Sequence, residues 1–213
     1  DGHSAGKPEP GWAGLVGFVN QLNESWVAAA QRMSSRVLCD LTEHVGKQAD
    51  AYFMSLDPLV VGGPVSWAGD EPQPQWLDVA REYTERWHHQ QQIRDATHRP
   101  GLYETRVFAP VLDTFVRALP HAFRDIDASQ GTTVEITLTG EGGGHWVLRR
   151  TAGKWELLSG SNAAADAHVS IRGEDAWKIF TRGLRGEAAR RRATIRGDQF
   201  LGARVVETVA VIA

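Results

Sequence analysis

Residues Asp127–Arg150 read DASQGTTVEITLTGEGGGHWVLRR, and this stretch decides the fold. From Thr132 to Thr139 the apolar Val134, Ile136 and Leu138 alternate with polar neighbours, the period-two pattern of a half-buried strand. Gly140–Gly144 supplies a turn free of side-chain obstruction, and His145–Arg150 reads as the returning strand. Working outward toward the C-terminus, Lys154–Leu158 and Ala167–Arg172 are two further strands in an antiparallel meander. An amphipathic helix over Glu174–Leu184, a short strand over Ala193–Arg196 and a closing helix from Gln199 follow.

Upstream of this stretch the period changes to that of helices. Trp12, Leu15, Val16, Val19, Leu22, Trp26, Val27 and Ala30 recur at intervals of three and four, so residues 12–33 are expected to form one helix. Ser34 or Ser35 can cap a second helix, which carries Val37, Leu38, Leu41, Val45, Ala49, Tyr52 and Phe53 and stops at Asp57-Pro58. The proline-rich and glycine-rich segment Pro58–Pro74 cannot sustain a helix and is expected to be a long ordered loop. A third helix spans Gln75–Thr97, with Trp76, Val79, Ala80, Tyr83 and Trp87 at helical spacing. A fourth runs from about Glu104 to Phe123. The chain thus divides into an all-helical domain, residues 1–126, and an α+β domain, residues 127–213.

Composition narrows the function. Among 213 residues, 23 Lys plus Arg face 26 Asp plus Glu, a net charge of -3, so neither nucleic acid nor an anionic membrane surface is the expected partner. Cys39 is the single cysteine, which excludes a disulfide scaffold and reads as a small buried hydrophobe on the second helix. No apolar run approaches the roughly 20 residues that cross a bilayer. The opening DGHSAGKPEP lacks a secretory pattern, and a cytoplasmic protein is expected.

Chemistry concentrates on the third helix. Glu85 and His89 lie four residues apart, one turn above another on one face, so a carboxylate oxygen and an imidazole nitrogen can share a metal ion. An exposed Glu–His pair that merely supports the helix has the same spacing. The surrounding Glu82–Arg94 mixes Trp87 with many polar groups, a composition suited to a pocket wall.

The segment Glu85-Arg86-Trp87-His88-His89-Gln90-Gln91-Gln92-Ile93-Arg94 resembles the Glu-x-x-x-His-x-x-Asp-Ile-Arg signature of mycothiol-dependent maleylpyruvate isomerase-like proteins. Gly142–Trp146, Trp155, Asp175-Ala176-Trp177, Thr181–Leu184 and Gly197–Gly202 resemble the same family's C-terminal domain, which is similar to sterol carrier proteins. The resemblance implies a DinB-like four-helix bundle followed by a sterol carrier protein-like α+β domain with a mainly antiparallel sheet. It also implies a divalent metal, usually zinc, with Glu85 and His89 as ligands beside a histidine from the family's first helix. Mycothiol is the implied cosubstrate, and the implied activity is isomerisation or thiol transfer on a small organic acid or electrophile.

Two departures from that signature matter. Gln92 stands where the family has aspartate, removing a charge that would orient His89. The first-helix histidine has no match: His3 falls in a tail, so the ligand is expected upstream of Asp1, or else the site is incomplete.

His44 reads as hydrogen-bonded structure and His88 as pocket lining. His98, His121, His145 and His168 read as surface residues. The basic run Arg185–Arg192 reads either as a solvated helix end or as an anion site, and Arg94, Arg182 and Arg196 are candidates for a substrate carboxylate. Beside the enzyme stands a second class of function, a non-catalytic small-ligand-binding protein with a vestigial metal site. The residues leave the oligomeric state open.

Overall fold

A computed structural model describes residues 6–210, which form two compact units, residues 6–56 and 57–210. The first unit holds two helices, α1 (Trp12–Ala30) and α2 (Ser35–Ser55). Ser34 caps α2 by accepting a hydrogen bond from the Val37 amide at 3.3 Å, which satisfies one of the orphan donors of the first turn. The apolar stripes read from the sequence are present but open: Trp26, Val37 and Tyr52 are each more than half exposed, and α2 buries no residue. Cys39, expected to be buried, is exposed on α2.

The second unit begins where the sequence suggested only a loop. A hairpin of β1 (Val61–Pro64) and β2 (Pro72–Pro74) precedes α3 (Gln75–Ala96). Prolines at both edges of this two-stranded sheet are tolerated because a strand without an outer neighbour needs fewer ladder donors. The expected fourth helix is two, α4 (Thr105–Val116) and α5 (Leu119–Ala122), broken at Arg117 and Ala118. Pro120 explains the break, since it sits in the first turn of α5, where its missing N–H costs nothing.

Five strands follow: β3 (Thr133–Thr139), β4 (Gly144–Arg150), β5 (Trp155–Ser159), β6 (Ala167–Arg172) and β7 (Ala193–Gly197). They pair in the order β5-β4-β3-β6-β7. Three of the four pairings are antiparallel, but β3 and β6 run parallel with Ile136 opposite Val169. The sheet is therefore mainly antiparallel, as expected, but mixed, because the fourth strand of the expected meander joins β3 in parallel. Residues 160–166 carry the chain from β5 past the sheet so that β6 adds to the free side of β3.

Between strands and C-terminus lie α6 (Gly173–Phe180), α7 (Gly186–Arg190) and α8 (Gln199–Val206). Asp198 caps α8 through the amides of Phe200 and Leu201.

One face of the sheet is apolar, as the alternation predicts. Val134, Ile136, Leu138, Leu148, Val169 and Ile171 pack with Phe108, Leu112 and Phe115 of α4 and with Phe180 of α6 in one core. The change from helical to strand pattern at residues 126–127 thus lies inside the second unit, where α4 supplies the layer under the sheet. The β3–β4 turn requires its glycines. Gly142 has φ +73°, and a Cβ there would approach the Ala109 amide nitrogen to 2.9 Å. The same turn places Glu141 Oε1 3.1 Å from the Thr105 amide, so a side chain from the sheet caps the start of α4.

Candidate functional site

Two neighbouring faces of α3 do different work. The buried side fixes the helix to the unit through Trp87, 3 % exposed, which stacks on Phe108 with centroids 5.0 Å apart and meets Trp177 edge-on at 5.5 Å. Its indole Nε1 donates to the Leu102 carbonyl at 3.1 Å. Gln91 is fully buried one turn on. It accepts from the Leu102 amide at 2.9 Å and donates to Asp95 Oδ1 at 3.0 Å and to the Tyr103 hydroxyl at 3.3 Å. The glutamine expected in a pocket wall is therefore a satisfied structural group.

Glu85 and His89 lie on the neighbouring face, and the structure brings them together. His89 Nε2 is 3.6 Å from Glu85 Oε2, with the glutamate about one-third exposed and the histidine mostly exposed. Gln92 completes the arrangement, its Oε1 lying 3.0 Å from His89 Nδ1. In the tautomer with the ring proton on Nδ1, that nitrogen donates to Gln92 Oε1 and Nε2 faces the carboxylate as a lone pair, an arrangement a shared cation would complete; in the other tautomer Nε2–H itself points at Glu85. Gln92 lies where a group that orients the His89 ring would sit.

The local field favours a cation. Burial pushes the Glu85 carboxyl above its ordinary range, and the neighbouring Glu82 adds to the shift while His89 and Arg81 oppose it. Arg81 is itself engaged, 3.0 Å from both Asp78 and Glu82. Next to the pair, His88 is 93 % buried. Its ring stacks on His89 at 5.3 Å and meets Trp177 edge-on at 5.8 Å. Burial first, and the His89 charge second, lower its pKa to about 4, so it is a neutral imidazole at pH 7.

The pair fits a shared divalent ion in spacing. Bonds of about 2.0–2.1 Å at a tetrahedral zinc put two donors about 3.4 Å apart, close to what is observed here. In number it supplies two of the three protein donors that a catalytic zinc takes. Among the described residues, no group of three His, Cys, Asp or Glu side chains converges on one position.

The other candidates are placed elsewhere. His44 is exposed on α2, 3.1 Å from Gln48. His3 lies outside the described residues. Arg94 Nη1 donates to the Pro100 carbonyl at 2.8 Å, which ties it to the chain just beyond α3. His98 is exposed just beyond the end of α3, and His121 is half-buried on α5. His145 Nδ1 lies 3.2 Å from Thr137 Oγ1 on the sheet face away from the core.

His168, expected on the surface, is instead half-buried and sits 2.7 Å from Glu135 Oε2. Glu135 also accepts from the Asn162 amide at 3.2 Å. The sequence shows both residues at outward positions of alternating strands, but only the parallel β3–β6 register makes them neighbours.

No family model matches this chain, and no curated protein matches it. Solved structures with some similarity include sterol carrier protein 2 like 2 from Aedes aegypti, 17% identical with a TM-score of 0.36, covering 46% of this chain and 95% of that one. The ubiquinone synthesis protein UbiJ-SCP2 is 18% identical with a TM-score of 0.33, covering 51% of this chain and 89% of that one. The sec-alkylsulfatase Pisa1 from Pseudomonas sp. is 20% identical with a TM-score of 0.36 over 50% of this chain, which spans only 17% of the sulfatase. The likeness to sterol carrier domains extends over about half of the chain, and at these values it carries no conclusion about activity. Among the described residues, no helix is long and apolar enough to cross a membrane.

Proposed function

We propose that this protein binds a divalent cation, with zinc the expected ion, through Glu85 and His89, and uses the site for thiol-dependent isomerisation or transfer on a small organic acid or electrophile. The observation that carries the proposal is the 3.6 Å approach of His89 Nε2 to Glu85 Oε2 with Nδ1 tied to Gln92. A bound metal would supply a lowered thiol pKa, making the nucleophilic thiolate available at neutral pH. The chain's own residues do the rest. Glu85 holds a desolvated negative charge, Gln92 orients the His89 ring, and His88 presents a neutral ring whose low basicity keeps a second positive charge away from the cation. Trp87 and Gln91 hold α3 against the core so that the pair keeps its spacing.

The resemblance of residues 85–94 to the mycothiol-dependent isomerase signature supports mycothiol as the low-molecular-weight thiol. It also supports a DinB-like reading of the helical residues and a histidine as the further ligand beside Glu85 and His89. Metal analysis of the purified protein tests the reading. One equivalent is expected in the wild type, with loss in both Glu85→Ala and His89→Ala. Stoichiometric metal that survives both substitutions would refute the site. Metal retention without thiol consumption, across a panel of electrophilic organic acids, would refute the enzyme and favour a ligand-binding role.

A further inference from the structure

The sheet face turned away from the core carries a polar cluster that the proposed metal site does not use. Glu135 of β3 and His168 of β6 lie 2.7 Å apart on that face, and their side chains are only 15 % and 26 % exposed although both stand at outward strand positions. Holding a carboxylate and an imidazole this far out of water costs desolvation energy, which the hydrogen bond between them offsets. Glu135 is doubly engaged, since its Oε1 accepts from the Asn162 amide at 3.2 Å. On the β4 side Val147, opposite Glu135, is buried. The pair is therefore closed toward β4 and open toward β7.

The hydrogen bond fixes which ring nitrogen is left over. The bond from His168 holds the Glu135 carboxyl below its ordinary range against the opposing effect of burial, so the group is ionised at neutral pH and can only accept. Nδ1 of His168 therefore carries the ring proton, and Nε2 is a lone pair with no partner among the described residues. The two nitrogens point to opposite sides of an imidazole, so with Nδ1 turned to β3, Nε2 is turned toward β7 and solvent. There the antiparallel register sets Arg196 directly opposite His168 and Thr194 opposite Ser170. Residues opposed in this way share a face, with Cβ atoms about 4.5–5.5 Å apart. Arg196 is exposed, and its guanidinium has no partner among the described residues.

We propose that this face binds a small 2-hydroxy acid such as lactate. The carboxylate lies on the planar fork of Arg196, and the hydroxyl donates to His168 Nε2. Ser170 and Thr194 offer neutral hydroxyls beside the carboxylate. Glu135 is a positioning residue that holds the ring in its accepting tautomer, as carboxylates behind histidine ligands do. A hydrogen-bond acceptor next to a fixed positive charge selects a ligand whose hydroxyl adjoins its anionic group over one that has either group alone. None of these residues belongs to the Glu85–His89 pair, so this inference stands or falls separately from the metal reading.

Nitrogen NMR of the histidine rings of the full chain at pH 8, during titration with lactate, propanoate and lactamide, tests it. Propanoate lacks the hydroxyl and lactamide lacks the charge. The free protein is expected to show the His168 proton on Nδ1. Lactate is expected to move the His168 Nε2 resonance and to bind about tenfold or more tightly than either analogue. Arg196→Gln, at an exposed position, is expected to weaken lactate by about tenfold while Nδ1 keeps its proton. Glu135→Gln is expected to weaken lactate and to move part of the ring proton to Nε2, and an unchanged tautomer with unchanged affinity there would overturn the role given to Glu135. A wild-type His168 ring protonated on Nε2, no response of that ring to millimolar lactate, either analogue binding as tightly as lactate, or unaltered lactate affinity in Arg196→Gln would each overturn the proposal.

Discussion

Replacing Gln91 by leucine asks whether the glutamine-rich face of α3 is structure or site. Gln91 is wholly buried and makes three hydrogen bonds, to the Leu102 amide, Asp95 and Tyr103. Leucine has nearly the same volume and none of the polar atoms. The stranded Leu102 amide costs about 1–3 kcal/mol, and the donors lost to the exposed Asp95 and half-buried Tyr103 cost about 1 kcal/mol more. Leucine's burial returns about 1 kcal/mol. The net is a loss of about 1–3 kcal/mol, which in a unit of this size lowers the unfolding temperature by about 2–12 °C.

Thermal and urea unfolding followed by circular dichroism and tryptophan fluorescence reads this loss, with metal content measured in parallel and expected to be unchanged. Gln91→Glu supplies a signed companion. Its carboxylate still accepts from the Leu102 amide but faces Asp95 as a like charge, so its pKa rises and its destabilisation shrinks as pH falls. A Gln91→Leu protein within about 0.5 kcal/mol of wild type, the range of ordinary surface substitutions, would refute the structural role.

Trp87→Ala removes the ring stacked on Phe108 and edge-on to Trp177, and should cost about 3–5 kcal/mol in urea unfolding. Glu135 is held below its ordinary carboxylate range chiefly by the His168 hydrogen bond. Burial opposes this, while Asn162 and the charges of His168 and His145 assist. The stability this contributes is complete above the ordinary value of 4.5 and is lost as pH falls through the lowered folded value, so the wild-type advantage over Glu135→Gln should shrink with acidification below that point. Asp198→Ala should cost about 1 kcal/mol by removing the cap from the Phe200 and Leu201 amides, with no effect on metal content.

Local periodicity made much of this architecture readable. Alternation placed Val134, Ile136 and Leu138 on the core face of β3, and spacing placed Glu85 and His89 on one face of α3. What depends on register or distant partners was not readable. The parallel joining of β3 to β6 leaves no trace in either strand's own pattern, and with it the Glu135–His168 pair was hidden. Pro120 falls inside the span expected to be one helix from about Glu104 to Phe123, but it suits the first turn of a new helix, which is how the chain uses it. Gln91 looked like part of a polar pocket because nothing local announces that the Leu102 amide, 11 residues on, will need its oxygen. The charge that Gln92 lacks is visible in the sequence, whereas its 3.0 Å approach to His89 Nδ1 is a matter of geometry.

Nitrogen-detected NMR of the imidazole rings during titration with zinc examines the heart of this account. The His89 Nε2 resonance should move at stoichiometric zinc while Nδ1 keeps its proton and its bond to Gln92, and Glu85→Gln should shift that response to higher zinc concentrations. An His89 ring that is indifferent to zinc, or that responds equally with and without the Glu85 carboxylate, would contradict it.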